Sequence, residues 1–431
     1  MLLRFKIKNF LSFYEETVFD MFPNIKREKF SHHIYTDMEV PLLKQAAIYG
    51  ANGSGKSNFI KAISFLREFV LRDNFLNEID LDDYYFQLAK EKEEKISFEI
   101  EFFNNNQYYL YVVGIDKKEV SEKLSVSGLN KTGDNLIFDR QGTNINPPDL
   151  INDSSVKQLL SLNPRSSILP LNLRFPVFVG DDPNTTYNWF SSQLEVLETY
   201  QRGSSLIELF NDQSLLKFAN EVFENIDIDF NSLNIENTPL DKWVINQRNT
   251  QLQNFITKRS EQNLGSAYMN GRNIIRISVQ NGVKTVQELL FNQMGQMGYC
   301  KEMNIQTQSD GTVKLLALLP ALFGAIYQNK CVFFDEIDNS IHPNLMFELL
   351  RFYANSKTNG QLIFTTHTTR LLNQQELVRP DEVWLTEKKE GNTRMYSLND
   401  FKLHNTLNIE NGYLDGRYGG TPVIEEINAA I

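Results

Sequence analysis

The chain has 431 residues, of which 41% are hydrophobic and 23% charged; that is enough apolar material for two or three domain cores and too much for a disordered chain. Its 43 Lys and Arg against 54 Asp and Glu leave a formal charge of -11, which excludes a uniformly basic nucleic-acid coat but leaves room for a local basic groove. Only Cys300 and Cys331 occur, which excludes a disulfide framework and a four-cysteine zinc site and fits a reducing cytoplasm, the expected location.

Met1 to Phe13 carries Arg4, Lys6 and Lys8 among its hydrophobes, so it lacks the unbroken apolar stretch of a secretion signal. The alternation from Arg4 to Phe10 predicts a strand. Gln45 to Tyr49 reads as a short buried strand ending in a glycine-rich turn. A helix is expected over Ser57 to Arg72, because Phe59, Ile63, Leu66 and Val70 recur at helical spacing and form one packing face. Ile96 to Phe103 and Tyr108 to Ile115 predict a hairpin about the turn Asn104-Asn105-Asn106.

From about 150 to 290 Asn, Gln and Ser become frequent and helical patterns appear at Gln193 to Tyr200 and Ser204 to Phe223. The stretch reads as an inserted, mainly helical subdomain without sustained heptads or internal repeats. After Gln306 the chain turns apolar again. Leu315 to Ile326 is shorter than a membrane span and contains Pro320 and Gly324, so a buried helix is expected rather than an anchor. Cys331 to Phe334 and Leu362 to Phe364 are unbroken apolar strands on either side of a helix from Pro343 to about Ser356, the pattern of a parallel sheet covered on both faces.

Gly50-Ala51-Asn52-Gly53-Ser54-Gly55-Lys56-Ser57 is a complete phosphate-binding loop between a predicted strand and a predicted helix. In such a loop Gly50, Asn52, Gly53 and Gly55 shape the backbone cradle. Lys56 reaches the β- and γ-phosphate oxygens of ATP, and the Ser57 hydroxyl holds Mg²⁺. Cys331-Val332-Phe333-Phe334-Asp335-Glu336 is an apolar strand closed by two carboxylates. Asp335 is expected at the Mg²⁺ and Glu336 as the base for the attacking water.

A glutamate directly after the aspartate resembles the ABC-type ATPases, and further motifs extend the resemblance. Ser309-Asp310-Gly311-Thr312, 22 residues before the carboxylate strand, looks like the RecF-type form of the family's signature, and read alone it is also a helix N-cap. Asp338-Asn339-Ser340-Ile341-His342-Pro343 resembles the D-loop, though His342 also reads as a helix cap. His367 follows an apolar strand and resembles the switch histidine that meets the γ-phosphate. Gln87 is a candidate for the glutamine loop or a surface glutamine, and Asn9-Phe10-Leu11-Ser12-Phe13 resembles the first strand of RecF-like heads.

The resemblance implies an α/β fold: an ABC-type, RecF-like P-loop head with a mixed sheet, built from an N-terminal lobe (1–115) and a C-terminal lobe (300–431) around an inserted, mainly helical subdomain (116–299). It implies catalysis by Glu336 and His367, and nucleotide contacts from the loop, Asp338 and, in trans, Ser309 and Gly311. Two copies would then close on ATP. The tail from Tyr413 to Pro422 reads as a glycine-rich surface turn, and equally it looks like the tail of stand-alone RecF-like ATPases of bacterial abortive infection, a group that includes the ATPases of the PARIS, Septu and retron systems. There the ATPase is a homo-oligomeric scaffold and sensor that controls a separate toxin or nuclease effector. The alternative is a DNA-repair clamp of the RecF kind that binds duplex DNA. Neither reading involves a membrane.

Overall fold

Alternation at the start of the chain becomes strand β1 (Leu2–Lys8), with Phe5 and Ile7 buried and Arg4, Lys6 and Lys8 on the opposite, partly exposed face. The computed structural model describes residues 1–90, 95–146, 158, 160–174, 180–198, 205–226, 230–246, 249–262, 267–270, 273–402 and 408–421. Further strands are β2 (Thr17–Asp20), a short pair β3 (Ile34–Tyr35) and β4 (Leu42–Leu43), β5 (Gln45–Gly50), β6 (Ile96–Asn104), β7 (Gln107–Ile115), β8 (Val120–Val126), β9 (Asn135–Gln141), β10 (Asn144–Asn146) and β11 (Leu194–Leu197). Then come β12 (Phe230–Pro239), β13 (Ala267–Asn270), β14 (Asn273–Gln280), β15 (Val283–Met294), β16 (Cys300–Asn304), β17 (Cys331–Phe334), β18 (Gln361–Thr365), β19 (Val383–Lys389) and β20 (Asn392–Ser397).

The chain divides into two compact units. The first comprises Met1–Glu198, Gly324–Asp338 and Phe347–Ile431. Among its described residues are an antiparallel sheet of seven strands in the order β10-β9-β8-β7-β6-β1-β2 and a six-stranded sheet in the order β11-β17-β18-β5-β19-β20. The second sheet is parallel from β11 to β19, with β20 antiparallel at its edge. Helix α1 (Lys56–Leu71) lies between them: the Phe59 ring meets Phe5 and Phe19 of the first sheet and Phe333 of the second. Sequence periodicity exposed one apolar face of this helix. Ile60, Ala62, Phe65 and Phe69 are buried as well, as a helix sandwiched between two sheets requires.

The second unit comprises Thr199–Phe323 and Asn339–Met346. Its antiparallel sheet runs β12-β15-β14-β13, with β16 on β15, over a core of Leu240, Trp243, Leu252, Ile256, Ile275, Ile277 and Val286. The unit is therefore strand-rich as well as helical, which differs from the mainly helical insertion expected from sequence. Its beginning also differs. Residues 116–146 stay in the first unit because β8, β9 and β10 continue the meander begun by β6 and β7. Gln193 to Tyr200, expected as helix, carries strand β11, which pairs in parallel with β17 from Leu194 opposite Cys331 to Leu197 opposite Phe334; residues 199 and 200 lie outside the described residues.

The helix Asp310–Tyr327 is long and apolar enough to cross a membrane by composition, yet 67% of it is buried and it contains Pro320. That matches the core helix expected there.

Candidate functional site

Strand β5 is fully buried and hydrogen-bonded on both sides, to β18 and to β19. Its carboxyl end therefore delivers the phosphate loop at the edge of an open parallel sheet, where ligands of such sheets collect. The loop is held from below by the β19–β20 hairpin. Thr386 pairs with Gly50 in the sheet, and its hydroxyl donates to the Tyr49 carbonyl at 3.1 Å and lies 2.6 Å from Ser54 Oγ. Thr393 Oγ1 lies 2.9 Å from the Ser54 carbonyl and 2.7 Å from Ser12 Oγ. Asn58 Nδ2 donates to that same Ser12 oxygen at 2.8 Å.

This support leaves no room for side chains at two loop positions. At Gly55, φ is +113° and a Cβ would sit 2.6 Å from Thr393 Cγ2; at Gly50 a Cβ would sit 2.6 Å from the Thr386 carbonyl oxygen. The backbone can approach phosphate here only because both residues lack a Cβ. Lys56 opens α1, and its ammonium donates to the carbonyls of Gly50 at 2.8 Å and Ala51 at 3.2 Å. Burial pulls its pKa below the usual lysine range, while the nearby carboxylates of Asp335, Glu336 and Asp338 pull it back up.

Strand β17 ends at the same edge, separated from β5 by β18. Asp335 is buried, its N–H donates to the Leu197 carbonyl of β11 at 3.0 Å, and Ser57 Oγ donates to its Oδ1 at 3.3 Å. A hard divalent cation prefers such oxygen donors, so the Ser57–Asp335 pair fits Mg²⁺. Thr365 at the end of β18 ties the two acids together: its hydroxyl donates to Asp335 Oδ1 at 2.8 Å and accepts the Glu336 N–H at 2.7 Å. Glu336 itself has φ +54°, in the left-handed region that non-glycine residues rarely occupy.

A cavity of about 440 Å³ is lined by Asn52, Gly53, Gly55, Lys56, Ser57, Asn58, Glu336, His367 and Lys388. Asn52, Gly53, Gly55, Lys56, Ser57, Glu336 and His367 thus converge on one space, whereas Gly50 lines a neighbouring cavity and Asp335 reaches the site through Ser57. Asp338 is not among the lining residues. Its Oδ2 accepts from Thr366 Oγ1 at 2.9 Å, the His367 N–H at 2.9 Å and Thr368 Oγ1 at 2.7 Å, so it fixes the turn that carries His367. Tail residues Tyr413, Leu414 and Thr421 line a neighbouring cavity of about 270 Å³ with Tyr49 and His367; Pro422 lies outside the described residues.

Ser309 and Gly311 belong to the second unit. There Ser309 caps the helix Asp310–Tyr327, its Oγ accepting the Thr312 N–H at 3.1 Å, while a Cβ at Gly311 would come within 2.8 Å of the Ser340 carbonyl oxygen. His342 is the cap of the helix Pro343–Asn355: its Nδ1 accepts the Asn344 N–H at 3.3 Å. Gln87 is exposed, and its carboxamide turns back onto the carbonyls of Asp82 and Tyr85 at 2.6 and 3.0 Å.

Residues 46–373 match the family model described as "AAA domain, putative AbiEii toxin, Type IV TA system". The chain belongs to this family. The match runs through the phosphate loop, the paired carboxylates and His367, and the chain folds as the mixed α/β P-loop head expected of such motifs. Among solved structures it is similar to an SMC head bound to the C-winged helix domain of ScpA, with TM-score 0.47 and 13% identity over 92% of this chain and 97% of that one. It is also similar to the SMC head domain from Thermotoga maritima, with TM-score 0.43 and 13% identity over 93% of this chain and 99% of that one. No curated protein matches the sequence.

Ser12, Asn58, Thr365, Thr386, Lys388 and Thr393 were not singled out from sequence as site residues. Thr386 and Thr393 meet the loop across more than 300 positions of chain, Thr365 and Asn58 meet their partners across 30 and 46, and only Ser12 and Thr365 lay in stretches marked by resemblance.

Proposed function

We propose that the chain is an ABC-type ATPase that binds ATP with Mg²⁺ in the 440 Å³ cavity and hydrolyses it. The observation that carries this reading is the convergence of Lys56, Ser57, Asp335 and Glu336 at one sheet edge, with Ser57 and Asp335 already in contact. The loop N–H groups and the amino terminus of α1 receive the phosphates. Lys56, now resting on two loop carbonyls, is the cation available to the β- and γ-oxygens. Ser57 and Asp335 would hold Mg²⁺, which neutralises charge developing on the transferred phosphoryl group. Glu336 accepts the proton of the attacking water, and His367, fixed by Asp338, steadies the γ-phosphate end.

In this reading two copies close on the nucleotide, the Ser309 and Gly311 helix terminus of one completing the site of the other. Its cap geometry supports that role, because a serine at a helix N-terminus beside a glycine is an anion site. The family's description names the AbiEii toxin and a type IV toxin–antitoxin system, which supports a defence role: a cytoplasmic, self-assembling switch that controls a separate toxin or nuclease, with the second unit as its docking element.

The test is Glu336→Gln in the full chain, expected to keep Mg-ATP binding and to lose phosphate release by about 100-fold or more. Parent-like turnover in that variant would remove Glu336 as the base. For the shared site, Lys56→Ala protomers mixed with Ser309→Arg protomers should regain turnover that neither has alone. Failure of folded, exchanging mixtures would count against closure in trans, and tight, steeply salt-dependent binding of duplex DNA would favour the repair-clamp alternative.

A further inference from the structure

Lys388 lines the nucleotide cavity, although no sequence motif marks it. Its place follows from strand pairing. Thr386 and Lys388 share a face of β19, since side chains alternate along a strand, and Lys388 pairs directly with Thr393 of β20. Thr386 and Thr393 both turn their hydroxyls onto Ser54. Lys388 therefore stands about 7 Å further along the face that supports the loop, beyond the end of β5 and opposite the residue that packs under Gly55.

Its surroundings define a different end of the cavity from that of Lys56. Lys56 sits with Asp335, Glu336 and Asp338, the groups of the γ-phosphate end. Lys388 stands with Thr393, Gly55 and, through Ser12, Asn58 in the first turn of α1. Among the described residues its ammonium has no hydrogen bond or ion pair, and its side chain is exposed. Two cations thus flank one phosphate loop.

Resting on the nucleotide-site reading above, we infer that Lys388 is a binding residue for the α-phosphate of the bound nucleotide, the part that ADP and ATP have in common. It contributes to affinity for both and takes no part in cleavage. A point charge on a flexible stem suits this, reaching one phosphate oxygen without bidentate geometry.

The experiment measures Mg-ADP and Mg-ATP binding by calorimetry, and steady-state turnover, for the full chain and for Lys388→Ala and Lys388→Arg. Lys388→Ala should weaken both nucleotides about tenfold at low salt and less at high salt. It should raise KM for ATP by a similar factor while kcat at saturation stays within about twofold, the signature of lost uniform binding. Lys388→Arg should restore most of the loss. Unchanged ADP affinity in Lys388→Ala overturns the assignment, as does a loss confined to ATP, which would move the contact to the γ-phosphate, or a failure of arginine to rescue. If the parent chain binds neither nucleotide, the nucleotide-site reading itself falls.

Discussion

Replacing Thr365 with valine keeps the shape of a fully buried side chain and removes one hydroxyl. That hydroxyl makes two bonds at the centre of the site, donating to the Asp335 carboxylate at 2.8 Å and accepting the Glu336 N–H at 2.7 Å. A hydrogen bond to a charged group contributes about 1.5–3 kcal/mol and a neutral one about 1 kcal/mol, so roughly 2.5–4 kcal/mol of local restraint is lost. Glu336 also sits at φ +54°, a conformation that costs a non-glycine residue on the order of 1–2 kcal/mol and persists only where neighbours enforce it. Once its N–H is released, the glutamate can relax away from the position that the proposed role as base requires. We expect kcat to fall about 10- to 100-fold, equivalent to about 1.4–2.8 kcal/mol in the barrier, with KM for Mg-ATP changing much less. Phosphate release at saturating ATP is the assay, with thermal melting as a check on folding. A Thr365→Val protein that melts lower but turns over within twofold of the parent would refute the claim that this hydroxyl positions the base.

Two further outcomes follow from the packing. Gly55→Ala forces a Cβ to 2.6 Å from Thr393 Cγ2 at φ +113°, a combined cost of about 2–4 kcal/mol; nucleotide binding should be lost in calorimetry and partly recovered with Thr393→Ala, and parent-like binding by the single variant would refute the close approach. Cys300 is exposed, whereas Cys331 is buried with a thiol pushed up to about 12 by loss of hydration, so iodoacetamide should modify the first and spare the second until the chain is denatured, with mass spectrometry reading both.

The head was legible where chemistry or strong hydrophobic runs dictate it. β5, α1, β17 and β18 could be drawn from sequence because a phosphate loop needs a strand before it and a helix after it, and because Val332, Phe333, Leu362 and Phe364 lie in unbroken apolar runs. The second unit was not. In β15, Val286, Leu289 and Leu290 recur at helical spacing among Gln287, Glu288 and Asn292, yet pairing with β12, β14 and β16 makes the segment a strand. β11 misleads in the same way: Leu194 and Leu197 are three apart, and it is pairing with the distant β17 that makes the segment a strand. The missed site residues have a related cause. Thr386, Lys388 and Thr393 acquire meaning from a hairpin that meets the phosphate loop across more than 300 positions of chain, and no local pattern encodes that encounter.

The points where the chain passes between the two units cluster in sequence around the acidic strand and its neighbour β11. The chain leaves it at Glu198, one residue after Leu197, and that leucine's carbonyl receives the Asp335 N–H. It re-enters at Gly324, shortly before β17 begins. Near these crossings along the chain, therefore, lie the peptide bonded to the acidic residue and the strand that ends in it. The first departure and return thus flank the neighbouring strands β11 and β17, and a second departure follows at Asp338, three residues beyond Asp335, before the chain returns at Phe347.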